Sequence, residues 1–176
     1  MSQSDHTGRV APLALEEYLP YLINRAGIAL VQRFSAVLRE EELGIQDWRA
    51  LAALYETAMQ QAVAGGVRLS DLSERTSIEI STLSRVVAGM ERRGMLLRER
   101  SSSDARAVSI RLTPRGESMA AKLIPDGLAL EAAALAGLNA EEAAQLKTLL
   151  GKVYANLSPA GSIGAAGAKG SDPETR

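Results

Sequence analysis

Residues 69–116 read LSDLSERTSIEISTLSRVVAGMERRGMLLRERSSSDARAVSIRLTPRG, and this stretch decides the fold. Two short helices open it. Leu69 to Thr76 is the first, and Ile80 to Arg93 is the second, closed by Gly94, a residue suited to the left-handed conformation at a helix end. Met95 to Arg100 then reads as a strand and Ser101-Ser-Ser-Asp104 as a turn. Ala107 to Leu112 alternates, with Val108, Ile110 and Leu112 on one side and Ser109 and Arg111 on the other, as a second strand does. Thr113-Pro114 starts the next helix, threonine as N-cap and proline in the first helical position.

Projected at about 100° per residue, the second helix of this stretch divides cleanly. Leu83, Val87, Met90 and Gly94 share one side and face a core. Ser81, Arg85, Ala88, Gly89 and Arg92 lie opposite, with Thr82 and Ser84 on the flanks. Short hydroxyls, an arginine and small residues on one outer face suit approach to a DNA groove, while the bland alternative is ordinary capping and solvation. Helix, turn, helix and a two-stranded wing is a DNA-reading architecture.

Working outward, an apolar repeat at three and four residues (Leu19, Leu22, Ile23, Ala26, Leu30, Phe34, Val37, Leu38) predicts a long helix over about 15–43, ended by Gly44. A second helix follows from Gln46 to about Gln61, with Trp48, Leu51, Leu54 and Tyr55 on its apolar face, and Gly65-Gly66 breaks the chain. Beyond the wing, Pro125 is expected to kink or interrupt the helix that Thr113 starts. Asn139, with Glu142 three residues on, marks a last helix carrying Leu146, Leu149, Leu150, Val153 and Leu157. Residues 1–14 and 158–176 read as disordered tails.

Composition narrows the chemistry. The chain has 176 residues, nearly half of them apolar, no cysteine and a single histidine, His6. Thiolate catalysis, disulfides and cysteine–zinc sites are excluded, and no cofactor or metal is expected. No catalytic constellation stands out, so an enzyme is not the reading. The N-terminus lacks a basic region followed by an apolar run, and no apolar stretch of about 20 residues occurs; a soluble cytoplasmic protein without a membrane span is the expectation. Net charge is −1 overall, yet Arg68–Arg115 holds ten basic residues, all arginine, against six acidic ones. Arginine suits forked contacts to phosphate and base edges, although a solvated charged surface has the same composition.

The pieces Leu69-Ser-Asp-Leu-Ser-Glu-Arg75, Ser81-Thr-Leu-Ser-Arg85, Glu91-Arg-Arg-Gly94, Asp104-Ala-Arg106 and Leu112-Thr-Pro-Arg-Gly116 resemble the multiple-antibiotic-resistance regulator (MarR) family, over roughly residues 15–157. The resemblance implies a mainly α fold with a small β-hairpin wing: a winged helix-turn-helix at about 46–112, flanked by dimerisation helices at about 15–43 and 113–157. It implies a homodimeric transcriptional regulator on a near-palindromic operator in double-stranded DNA. Ser81, Thr82, Ser84 and Arg85 would then read the major groove. Arg106 would enter the minor groove with Asp104 as its support, and Arg98 would sit near the DNA backbone. Ile80 stands where the family commonly has a polar residue, and Gly89 lies inside the recognition helix at a helix-propensity cost of about 1 kcal/mol.

Family members are often repressors released from DNA by a small aromatic or phenolic acid. Arg25, Trp48 and Arg49 are the candidates for such a site, since an arginine beside apolar surface suits an aromatic carboxylate. The alternative is a core tryptophan with both arginines in internal ion pairs. Apolar residues on the terminal helices, among them Leu123, Ile124, Leu128, Leu146, Leu150 and Val153, are expected to need a partner chain. A winged helix that docks protein rather than DNA is the competing functional class.

Overall fold

The computed structural model describes residues 13–60, 66–100 and 108–158. In chain order the elements are α1 (Leu19–Glu40), α2 (Ile45–Met59), β1 (Val67–Arg68), α3 (Leu69–Thr76), α4 (Ile80–Arg92), β2 (Leu96–Arg100), β3 (Val108–Leu112), α5 (Pro114–Ala134) and α6 (Ala140–Leu157). They fall into two compact units, Met1–Glu131 and Ala132–Arg176. The expected tails and the wing tip, with Asp104 and Arg106, lie almost wholly outside the described residues.

The first unit is built on a core of Phe34 and Leu38 from α1, Ala50, Leu51 and Leu54 from α2, Leu72 from α3, Leu83, Val87 and Met90 from α4, and Met95, Leu96 and Ile110 at the sheet. The apolar side read from α4 is the side it buries. The wing has a third strand that the sequence pattern does not reveal: the order is β1-β3-β2, all antiparallel, with Val67 opposite Ile110 and Leu96 opposite Leu112. Two residues are too short for a period-2 signal. Gly66 makes the pairing possible, because it has φ +81° and a Cβ there would stand 2.6 Å from Arg111 Cγ.

Three helices of this unit stop by one device. After α1, Leu43 N–H donates to Leu38 O (2.9 Å) and Glu42 N–H to Arg39 O (3.1 Å). After α3, Ile78 N–H donates to Ser73 O and Ser77 N–H to Glu74 O, both 3.3 Å. After α4, Met95 N–H donates to Met90 O (3.0 Å) and Gly94 N–H to Glu91 O (2.9 Å). Each pair of bonds needs one left-handed residue, here Glu42, Ser77 and Gly94 with φ of 56°, 52° and 69°. Glu42 therefore terminates α1, and the expectation that Gly44 does so is corrected. Gly44 is instead the extended N-cap of α2, its N–H held by the Asp47 carboxylate at 2.8 Å.

α1 begins at Leu19 rather than at Leu15, after a turn in which Tyr18 N–H donates to Leu15 O. Pro20 has no N–H to give to Glu16, so the helix cannot extend back through it. At the other end of the unit, Thr113 caps α5: its hydroxyl donates to Gly94 O (2.7 Å) and accepts from Gly116 N–H (3.1 Å). Gly116 is buried where a methyl group would collide with the Met95 carbonyl oxygen. Pro125 lies inside one continuous helix, contrary to the expected interruption. Its ring is exposed. Leu123 is buried on one side of it, and on the other Gly127 sits against the Trp48 ring, where a Cβ would be 3.1 Å from Cζ2. Core packing on both sides keeps the helix running past the missing bond.

In the second unit, Asn139 caps α6 as read, accepting from Glu141 and Glu142 N–H at 2.9 Å each while Glu142 accepts from Asn139 N–H at 2.8 Å. α6 buries none of its residues, and Leu146, Leu149, Leu150 and Tyr154 are exposed. Leu123 needs no partner chain, since it lies in the protomer core at 1% exposure. Among the described residues no helix is long and apolar enough to cross a membrane.

Candidate nucleic-acid interface

α4 supplies the centre of the site. With Leu83, Val87 and Met90 buried, its opposite side presents Ser81 and Arg85 to solvent and leaves Thr82 and Ser84 half-buried on the flanks. The Arg85 guanidinium lies 3.4 Å from the Thr82 hydroxyl, a weak contact that leaves its donors available. Arg92 is exposed farther along the same side, and Arg68 and Arg115 are exposed at the ends of β1 and α5. None of these three has an ion-pair partner among the described residues. Their charge is thus not cancelled by an ion pair among the described residues.

Arg98, from β2, is engaged within the protein. Its Nε pairs with the Glu91 carboxylate at 3.1 Å, and its Nη2 donates to the Ser84 carbonyl at 3.3 Å. Those bonds tie the wing to the flank of α4, so Arg98 fixes the angle between the two. The structure brings Ser81, Thr82, Ser84, Arg85 and Arg98 together; Asp104 and Arg106 lie outside the described residues.

The start of α4 holds a group that sequence reasoning missed. Glu79 is the N-cap, and its carboxylate accepts from Thr82 N–H at 3.1 Å and from the Ser81 hydroxyl. These bonds, first that from the Ser81 side chain, hold the Glu79 carboxyl below its ordinary value of 4.5. Ser81, read as a groove contact or an ordinary capping residue, is exposed and braces the capping carboxylate. Glutamate is a poor N-cap by preference, and this is why the pattern gave no signal. Ile80, the first residue of the helix, is 48% exposed. Gly89 stands in the middle of the outer side, and a Cβ there would meet only Arg92 Nη2, at 3.9 Å.

Of the three candidate effector residues, Trp48 is half-buried against the core, and Arg25 and Arg49 lie at the surface. Trp48 packs edge-on against Phe34, ring centroids 5.2 Å apart, and against Gly127. Arg25 and Arg49 are exposed, and neither has a hydrogen-bond or ion-pair partner among the described residues. Trp48 thus packs on the core as in the alternative reading, while neither arginine forms an ion pair among the described residues.

Comparison with known proteins agrees with this geometry. Residues 45–108 match the model of the MarR family. The chain is 26% identical over 122 residues to the HTH-type transcriptional regulator TtmR of Methylorubrum extorquens (strain PA1), covering 69% of this chain and 59% of that protein. The chain thus spans less than two thirds of the length of the curated relatives it matches. Among solved structures, a MarR-family transcriptional regulator from Silicibacter pomeroyi superposes with a TM-score of 0.71 at 27% identity, over 85% of this chain and 97% of that one. BpsR of Bordetella bronchiseptica, whose DNA binding is regulated by 6-hydroxynicotinic acid, superposes with a TM-score of 0.71 at 25% identity, over 81% and 96%. The MarR-family match over residues 45–108 agrees with the helix order and the three-stranded wing, and the chain has the fold of MarR-family winged-helix regulators.

Proposed function

We propose that this chain is a DNA-binding transcriptional regulator that works as a homodimer on a near-palindromic operator. One observation carries the reading: α4 buries Leu83, Val87 and Met90, exposes Ser81 and Arg85 on its opposite side with Thr82 and Ser84 half-buried on the flanks, and is braced to the wing by Arg98. Arg85 offers forked donors to a base edge or phosphate, and Thr82 and Ser84 offer short hydroxyls on either flank. Arg98 acts at the DNA backbone side by holding the wing, and Arg106, with Asp104 as its support, enters the minor groove. The decisive test is fluorescence anisotropy against the duplex upstream of the protein's own gene and a scrambled duplex, across a salt series. A salt-dependent preference for the upstream duplex is expected. Equal affinity for all duplexes, with no sequence enriched from a random library, overturns the reading in favour of a protein-docking winged helix.

The homodimer rests on apolar surface. Leu19, Leu22, Ile23, Ile28 and Leu30 are exposed on α1, and Leu146, Leu149 and Leu150 on α6. Exposed apolar helix faces of this extent are the usual mark of a subunit interface. Light scattering at micromolar concentration should give twice the chain mass of 18.7 kDa.

Release from DNA by a small aromatic or phenolic acid is the regulatory part of the proposal, with repression as its direction. It is supported by two exposed, unpartnered arginines, Arg25 and Arg49, on the helices that carry the Phe34–Trp48 pair, and by the effect of 6-hydroxynicotinic acid on BpsR. Calorimetric titration with a panel of aromatic acids should find one that binds saturably and lowers operator affinity; no heat with any of them defeats this part alone.

A further inference from the structure

Two side chains at the leading end of α4, Glu79 and Ile80, belong neither to the protomer core nor to the groove contacts proposed above. Glu79 is exposed, yet its carboxylate is fixed by the Thr82 amide and the Ser81 hydroxyl. Two donors still leave a carboxylate with accepting capacity, since its two oxygens offer about four lone-pair sites. Ile80 is 48% exposed immediately beside it. An exposed β-branched chain is stiff at χ1, so it presents a methyl surface in a defined direction.

The same carboxylate blocks an alternative use of this end. The N-terminus of a helix is ordinarily a ready anion site, and a phosphate would take the amide that Glu79 already occupies. A fixed negative charge there also repels the DNA backbone, which removes a contact common to every sequence. What this end can accept from a duplex is a hydrogen-bond donor beside an apolar group. In the major groove the exocyclic amine of cytosine donates, and a carboxylate is its matching acceptor; the thymine C5 methyl is the matching apolar group.

Resting on the DNA-binding reading above, we propose that Glu79 and Ile80 form a pyrimidine-reading pair at the leading end of the recognition helix, Glu79 accepting from cytosine N4 and Ile80 packing on an adjacent thymine methyl. Glu79 thereby determines specificity in two ways: it favours one base and disfavours indiscriminate phosphate contact.

Selection from a random duplex library with the full-length protein tests this. The wild type should enrich a cytosine and a thymine at neighbouring positions of each half-site. Glu79→Gln should replace the cytosine with adenine, the base that glutamine pairs with, and should raise affinity for random duplex. Glu79→Asp keeps both charge and cap and should retain the cytosine. Deoxyuridine in place of the thymine removes only the methyl group; it should weaken wild-type binding by about fivefold and leave Ile80→Ala unaffected. A purely structural role for Glu79 would weaken all sequences alike and would not exchange one base for another. If the wild type enriches a motif that Glu79→Gln and Ile80→Ala leave unchanged, the inference fails and the regulator reading stands. If the wild type enriches no motif, both fall.

Discussion

The Arg93 guanidinium at the end of α4 holds the Glu42 carbonyl oxygen at the end of α1, 51 residues away in the chain, at 2.8 Å. Its other terminal nitrogen takes the Glu41 carbonyl at the same distance, so one planar fork closes two free helix carbonyls. The Glu41 side chain in turn accepts from Lys122 of α5 at 2.6 Å. The end of α4 is thus tied to the end of α1 and, through Glu41, to α5. Arg93→Ala should cost about 1–2 kcal/mol in denaturant unfolding, and Arg93→Lys about half of that, because lysine cannot bridge both carbonyls.

Glu42 carries a conformational penalty for its left-handed φ of 56°. A side chain in that region costs about 1–2 kcal/mol, part of which glycine returns as extra freedom in the unfolded chain. Glu42→Gly should therefore raise stability by about 0.5–1 kcal/mol, seen as a higher thermal midpoint, while the Arg93 contact to its carbonyl persists. No change in the midpoint would mean that the Glu42 side chain contributes a compensating interaction.

Gly89 offers the opposite trade. Its outer side is open, so an added methyl group meets nothing closer than Arg92 Nη2 at 3.9 Å. Gly89→Ala should stabilise the helix by about 0.5–1 kcal/mol. If the backbone at this point approaches the groove wall, the same substitution should weaken operator binding by about tenfold. Stability and affinity moving in opposite directions is the diagnostic result; affinity unchanged would place Gly89 away from the duplex.

Acid should loosen the start of α4 before the rest of the fold. The Glu79 carboxyl is held below 4.5 by the Ser81 and Thr82 donors, so its contribution is fully present above the unfolded value and is lost as pH falls through the lower folded one. Protection of the Thr82 amide, its hydrogen-exchange rate referred to that of the unfolded peptide at the same pH, should fall as pH drops below 4.5 in the wild type. In Glu79→Gln that amide should show no such pH-dependent step.

These expectations show where the sequence spoke and where it was silent. The division of α4 into a buried and an outward side was legible, because Leu83, Val87 and Met90 repeat at the helical period. Thr113 and Asn139 were legible as caps because their residue types are strong local preferences. The end of α3 at Thr76 was legible, but the left-handed conformation of Glu42 and Ser77 was not, since it is one that their side chains disfavour. Glu79 escaped for a different reason, as a capping residue of an uncommon type. β1 is two residues long and gains its strand character only by pairing with β3. Pro125 looked like a break, but Leu123 and Gly127 pack on either side of it and outweigh one absent hydrogen bond.

The fit of Gly127 against Trp48 has a practical consequence. Trp48 is the only tryptophan in the chain, and its ring is bounded by Phe34 of α1 and by the backbone of α5. Its emission therefore acts as a built-in optical gauge of how closely α5 lies on α2. Any movement of these helices, whether driven by heat, by a small molecule or by docking on a duplex, can be followed in the unlabelled protein at a single wavelength and in real time.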